Sequence, residues 1–110
     1  MRGWWRTGGC NLWFKTSGVY TVDDDELYLL LSSLIDTEDI RLEPSALAGV
    51  AGPVRLFKEP AGQKYLEANN LKHKTSNATH IAWATGGSMV PAEVMASYYK
   101  KGLNIPVTRK

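Results

Sequence analysis

The sequence predicts an α/β fold with about two strands and three to four helices. Two runs of β-prone or apolar residues, 19–22 and 79–84, indicate the strands. The second run is apolar on both sides of its alternation, which is typical of a strand covered on both faces. Leucines at helical spacing, and helix-starting prolines at 44 and 91, indicate the helices. The length of 110 residues suits one small domain.

Composition and charge exclude several classes of function. The net charge of +2 is mild and the Lys and Arg residues are scattered, so nucleic-acid binding is not expected. A single cysteine, Cys10, allows no internal disulfide and suits a reducing compartment. With only His73 and His80 beside it, the ligands for zinc are too few. No apolar run reaches the roughly 18 residues of a membrane span, so we expect a cytoplasmic chain.

The first sixteen residues differ from the rest. They hold three of the four tryptophans and show neither helical nor strand periodicity, so we expect residues 1–16 to be a disordered head. An aromatic binding arm is the alternative, but no pattern places these rings on one face. The structured segment is expected to be 17–110.

The first helix is marked by a capping box. Asp23 is the expected N-cap and Glu26 its return partner, while Asp24 and Asp25 complement the helix dipole. Calcium binding is not indicated, because spaced oxygen ligands around a glycine are missing. The apolar face that follows comprises Leu27, Leu30, Leu31, Leu34 and Ile35.

The next helix is expected to begin at Pro44 and consists mostly of small residues. Gly49 costs about 1 kcal/mol of helix stability relative to alanine, so a close approach to another element or to a ligand is a plausible compensation. A short surface helix is predicted over 61–70. The last helix is predicted over 91–101, with Gly102 in the C′ position.

The loop Thr85-Gly86-Gly87-Ser88 follows the predicted strand, where α/β proteins bind ligands. Three interpretations remain open from the loop alone. It could cradle a phosphate, Thr85 could hydrogen-bond a heteroaromatic nitrogen, or the glycines could serve only a tight turn.

Two segments together resemble a known family. RLEPSALAG, residues 41–49, and THIAWATGGSMVPAEVMASYYKKG, residues 79–102, resemble the C-terminal region of bacterial D-serine dehydratase (D-serine ammonia-lyase). This family belongs to the fold-type II pyridoxal-phosphate enzymes. The resemblance runs from about residue 17 to 102 in matching order and spacing. It implies the C-terminal portion of a fold-type II domain.

The resemblance also implies a cofactor site for pyridoxal 5′-phosphate (PLP). Thr85 matches the position that faces the pyridine nitrogen, and Gly86 and Gly87 would let the ring lie close to the backbone. Glu43 matches a segment beside the cofactor, and related dehydratases hold a monovalent cation in equivalent regions, so Glu43 is a candidate for either role. A hydroxyl at the nitrogen favours a neutral ring and a milder electron sink, which suits β-elimination of D-serine to pyruvate and ammonia.

The chain departs from the family pattern in its catalytic parts. None of its eight lysines lies in a context that resembles the Schiff-base lysine, and the family's phosphate loop is not found, so no catalytic residue is assigned. We expect the chain alone to be inactive. We also expect part of the surface formed by 27–35 or 46–51 to be exposed, because in the family this region packs against a larger domain. The alternative is a non-catalytic remnant or interaction module. It would need another chain, such as a separate N-terminal portion, to supply the lysine.

Overall fold

The computed structural model describes residues 18–107, so the head predicted to be disordered lies outside the described residues. The helices within this range are α1 (Asp24–Glu38), α2 (Ala48–Lys58), α3 (Pro60–Ala68) and α4 (Ala92–Asn104). Two short 3-10 helices, Pro44–Leu47 and Lys72–Asn77, complete the regular structure of this range.

The prediction of two strands is wrong for this structure, because no strand occurs between residues 18 and 107. The α/β prediction is therefore supported only in its helical part. The apolar residues in 79–84 predict a strand buried on both of its faces, yet Ile81 is 88% exposed and Trp83 is 82% exposed. A strand forms only when a neighbouring strand satisfies its backbone groups. The sequence pattern carries the preference for a strand but does not supply that neighbour.

The chain divides into two compact units. Among the described residues, the first contains 22–51 and 81–107, and the second contains 52–80 with 18–21. The first unit is built on the contact of α1 with α4. Its core consists of buried residues from both helices and from the segment between α1 and α2: Leu31, Leu42, Leu47 and Met95.

Helix α1 begins after Asp23, as predicted. The carbonyl of Asp23 accepts the N–H of Leu27 at 3.1 Å, and three acidic residues occupy the first turn. The Asp23 side chain, however, makes no capping hydrogen bond, so its half of the predicted capping box is wrong. The helix ends at Asp39, whose left-handed backbone lets its N–H bond the carbonyl of Ile35 at 3.0 Å.

Helix α4 continues past its predicted end. Gly102 was expected outside the helix, but it lies within α4 and is buried against α1. Backbone contact at a glycine lets two helices approach more closely than larger side chains allow. Tyr28 of α1 and Tyr98 of α4 add a ring contact at 5.6 Å, and Lys101 lies 5.0 Å from the Tyr28 centroid.

The second unit is built around the corner between α2 and α3. The side chain of Arg55 is 5% exposed and pairs with Glu59 at 2.6 Å. Gly62 lies against the backbone of Leu56, where a Cβ would collide with main-chain atoms. The rings of Phe57 and His80 meet edge to face at 5.2 Å. The 3-10 helix Lys72–Asn77 follows α3.

Candidate functional site

The Thr85-Gly86-Gly87 loop requires glycine for its backbone. Gly86 has a φ of +67° and Gly87 a φ of +101°, values that side-chain-bearing residues rarely adopt. The carbonyl of Gly87 accepts the N–H of Val90 at 3.2 Å, and α4 starts two residues later. The tight-turn interpretation is therefore satisfied by the geometry, whatever else the loop does.

Glu43 lies directly against this loop. A Cβ placed on Gly86 would be 2.6 Å from the carboxyl carbon of Glu43 and 2.9 Å from its Oε1. Glu43 itself is the extended residue before the 3-10 helix Pro44–Leu47, where Pro44 fixes the start of the turn. The structure thus brings Glu43 and Gly86, two of the four predicted site residues, into contact although 43 positions separate them in the sequence.

Gly87 packs against the same segment through main-chain atoms. A Cβ at Gly87 would collide with the carbonyl oxygen of Arg41 and lie 2.9 Å from the Cα of Leu42. Gly87 is buried, whereas Thr85 and Glu43 are exposed. Residues 41–43 therefore pack against one side of the loop, and Thr85 remains exposed.

A cavity of about 530 Å³ adjoins the loop on α4. Its polar groups are Arg41, which pairs with Asp39 at 2.7 Å, and Tyr99, which donates to Asp36 at 2.7 Å. Neither Arg41 nor Tyr99 is predicted as a site residue, although both lie within the two segments that carry the resemblance, 41–49 and 79–102. The lining comprises Ile35, Arg41, Gly87, Val90, Ala92, Met95, Ala96 and Tyr99.

The geometry offers an exposed hydroxyl, a carboxylate and a glycine turn on one surface of the first unit. These groups suit the edge of a planar heteroaromatic ligand, since glycines permit close approach and the hydroxyl can donate or accept. The Glu43 carboxylate equally suits a monovalent cation, for which oxygen atoms are the natural ligands. The residues present therefore fit one side of a PLP site. Their chemistry is compatible with Glu43 either bordering the cofactor or binding a monovalent cation.

Between residues 18 and 107 no group of three or more His, Cys, Asp or Glu side chains is placed to hold a metal ion. No helix in this part of the chain combines the length and apolar character needed to cross a membrane.

Comparison with known proteins gives a consistent result. A protein from Geobacillus stearothermophilus named "Probable D-serine dehydratase" is 68% identical over 89 residues, covering 81% of this chain and 19% of the relative. A protein of the same name from Halalkalibacterium halodurans is 58% identical over 86 residues, or 78% of this chain and 19% of the relative. One from Bacillus cereus strain B4264 is 57% identical over 91 residues, which cover 83% of this chain and 20% of the relative. No family model matches the chain.

The sequence resemblance is thus confirmed over most of the chain. The chain spans about a fifth of the length of the curated relatives it matches. Identities of this size over some 90 residues leave no doubt about common descent of the aligned region. They do not show by themselves which groups of the relatives' sites this region supplies.

Proposed function

We propose that this chain, which is homologous to about a fifth of the proteins named D-serine dehydratase, forms one wall of the PLP site of such an enzyme. The single observation that carries the proposal is the contact between Glu43 and Gly86. It joins the two segments that carry the resemblance, 41–49 and 79–102, at the residues predicted to border the cofactor. The 68% identity to the Geobacillus protein supports the same assignment.

The proposed roles follow from residue chemistry. PLP, when bound, supplies the electron sink that β-elimination of the D-serine hydroxyl requires. The Thr85 hydroxyl would donate a hydrogen bond to the pyridine nitrogen and hold that nitrogen unprotonated, which a carboxylate would not do. Gly86 and Gly87 would place backbone rather than side chains beside the ring.

Glu43 has two proposed roles, and the contact with Gly86 is compatible with both. As a wall residue it would fill the space left by the missing Cβ of Gly86 and fix the loop. As a cation ligand it would supply one oxygen to a monovalent ion beside the site. A dependence of activity on K⁺ concentration that disappears in Glu43→Gln would favour the second role.

The 110-residue chain on its own is proposed to be inactive. The amine that holds PLP covalently and moves the proton must come from a lysine, and the lysines here do not lie in a matching sequence context. We expect no pyruvate release when the purified chain is incubated with PLP and D-serine. The matched positive control is the full-length Geobacillus stearothermophilus relative assayed under the same conditions.

A chimera tests the proposed wall directly. Residues 18–107 of this chain would replace the aligned region of the Geobacillus relative, and pyruvate release from D-serine would be measured. We expect the chimera to keep activity within about tenfold of the parent. In the chimera, Thr85→Val should lower kcat and Thr85→Asp should shift the PLP absorbance, since only Asp favours a protonated nitrogen.

Thr79→Val is the matched control for these variants. Thr79 is an exposed threonine of the segment that leads to the loop, so its loss should leave kcat and the absorbance spectrum unchanged. Equal effects of Thr85→Val and Thr79→Val would contradict the assignment of Thr85 to the cofactor.

A further inference from the structure

The cavity on α4 has a mainly apolar lining. Ile35, Val90, Met95 and Ala96 contribute aliphatic groups to it, and Met95 is only 6% exposed. Its volume of about 530 Å³ lies within the range of small-molecule sites, roughly 300–1,000 Å³. Such a lining suits an aliphatic group, because contact between the two removes apolar surface of both from water.

Arg41 adds a positive charge to this lining. Within residues 18–107 both contacts of its guanidinium use Nη1, which pairs with the Asp39 carboxylate at 2.7 Å and lies 3.5 Å from the Asp39 carbonyl oxygen. A guanidinium carries N–H donors on three nitrogens, so Nε and Nη2 remain able to donate. A carboxylate of a ligand can therefore bind Arg41 without displacing Asp39.

Tyr99 adds a hydrogen-bond acceptor to the same lining. Its hydroxyl hydrogen is donated to Oδ1 of Asp36 at 2.7 Å, so the phenolic oxygen keeps a lone pair for another donor. The negative charges of Asp36 and Asp39 favour a donor that is positively charged. The same two carboxylates oppose a ligand that is only anionic, so the lining favours a ligand that carries both charges.

We infer that this cavity binds an aliphatic α-amino acid. Arg41 binds its carboxylate, and the hydroxyl oxygen of Tyr99 accepts a hydrogen bond from its ammonium group. The aliphatic side chain of the ligand lies against Val90 and Met95.

The amino-acid site is distinct from the groups proposed to border PLP. It adjoins the Thr85-Gly86-Gly87 loop through Gly87 and Val90, and the Val90 N–H donates to the Gly87 carbonyl at 3.2 Å. A ligand packed on Val90 therefore restrains the turn from the side of α4. The inference does not rest on the proposed function, since it requires neither PLP nor any sequence outside this chain.

Methyl NMR of the purified chain, titrated with L-leucine, tests the inference. We expect saturable shifts of the methyl signals of Val90, Met95 and Ala96, and slower hydrogen exchange of the Val90 amide. Isocaproate lacks the ammonium group of leucine and isoamylamine lacks its carboxylate, so each should bind at least about tenfold more weakly. L-Serine should also bind more weakly than leucine, because its side chain has little apolar surface to bury.

Arg41→Gln and Ala96→Phe test the charged and the apolar part of the site. The first removes the cation, and the second fills the cavity from an exposed position on α4. Each should weaken leucine binding at least about tenfold and leave the circular dichroism spectrum unchanged. Lys100→Gln is the matched control for the lost charge, because Lys100 is exposed on α4 and does not line the cavity. It should bind leucine as the parent chain does.

Three results would overturn the inference: no saturable shift with leucine, equal binding of leucine and isocaproate, or unchanged binding in both Arg41→Gln and Ala96→Phe. If Arg41→Gln does not fold, the comparison of leucine with isoamylamine on the parent chain tests the need for a carboxylate. Shifts of the same methyl signals when the chain is concentrated without ligand would overturn the inference in favour of a second copy that covers the cavity.

Discussion

Gly102 of α4 lies against the backbone carbonyl of Tyr28 in α1. A Cβ at this position would collide with that oxygen and lie 2.7 Å from the Oγ of Ser32. Because the carbonyl belongs to the helix backbone, it cannot rotate away as a side chain could. We expect Gly102→Ala to lower the free energy of unfolding by about 1–3 kcal/mol, measured by urea denaturation followed by circular dichroism.

Gly49→Ala is the matched control for Gly102→Ala. A Cβ at Gly49 would meet Ala82 at 3.9 Å, which is ordinary contact, and alanine is the better helix former. We expect it to raise stability by about 0.5–1 kcal/mol. If the two glycines respond alike, close helix approach is not what selects glycine at 102.

The hydroxyl of Tyr99 donates a 2.7 Å hydrogen bond to Oδ1 of Asp36 and so links α4 to α1. This bond, reinforced by the negative charge of Asp36, raises the pKa of Tyr99 above its ordinary 10.0. The folded state therefore holds the phenolic proton more tightly than the unfolded state. The resulting stabilisation is complete below pH 10 and is lost as the pH rises through the raised pKa.

NMR titration of labelled tyrosine side chains measures this directly. Tyr99 should titrate at higher pH than it does in Asp36→Asn, where the charge is absent. Tyr99→Phe should remove the corresponding loss of stability above pH 10. An unchanged Tyr99 titration in Asp36→Asn would show that the hydrogen bond does not persist in solution.

The contact between Glu43 and Gly86 predicts a specific rescue. Gly86→Ala should destabilise the chain for two reasons, a positive φ that costs about 1 kcal/mol and a collision with the Glu43 side chain. Glu43→Ala removes the collision but not the backbone strain, so the double variant should recover part of the loss. The measurement is a double-mutant cycle of unfolding free energies.

Gly87→Ala provides the contrast within the same loop. Its Cβ would meet the backbone of Arg41 and Leu42, so Glu43→Ala should give no recovery. Recovery of both glycine variants, or of neither, would contradict the packing of the loop against residues 41–43.

The two glutamates with basic partners in the second unit should differ in importance. Glu59 pairs with Arg55, whose side chain is 5% exposed, whereas Glu67 pairs with Lys72, whose side chain is 52% exposed. Glu59→Gln weakens the pairing of a buried guanidinium and should cost about 1–3 kcal/mol. Thermal unfolding followed by circular dichroism provides the measurement.

Glu67→Gln is the matched control and should change stability little, because water screens exposed pairs. The hydrogen bond and charge of Lys72 lower the pKa of Glu67 below its ordinary 4.5. Its small contribution is therefore present above pH 4.5 and is lost as the pH falls through the lowered pKa. A larger effect of Glu67→Gln than of Glu59→Gln would be inconsistent with the burial of Arg55.

Local signals in the sequence located the helices well. Asp23, Pro44 and Pro60 stand at or next to helix starts, since capping preference and the fixed φ of proline act within a single turn. The two predicted strands are wrong because a strand, unlike a helix start, does not depend on local signals alone. A strand's backbone is satisfied by a distant segment, and the pattern in 79–84 does not show whether one is present.

The sequence predicts part of the candidate site. Gly86 and Gly87 were marked by their dipeptide and their place before a helix, and the structure gives both positive φ values. The contact of Gly86 with Glu43 was not visible, because it depends on how 41–43 folds back on the loop. Exposure depends on tertiary packing in the same way: Leu47 and Ala51 are buried and Leu27 and Val50 only partly buried, whereas Ile81 and Trp83 are exposed.

Pro53 lies inside α2, one residue beyond the division of the chain into its two units at Ala51 and Gly52. Its missing N–H leaves the carbonyl of Gly49 without the usual helical donor, so α2 lacks one backbone hydrogen bond in its interior. The connection is nevertheless a helix rather than a loop. A gene broken or recombined at this point would yield two incomplete helices instead of two intact modules. Natural recombination within this coding sequence should therefore avoid codons 48–58.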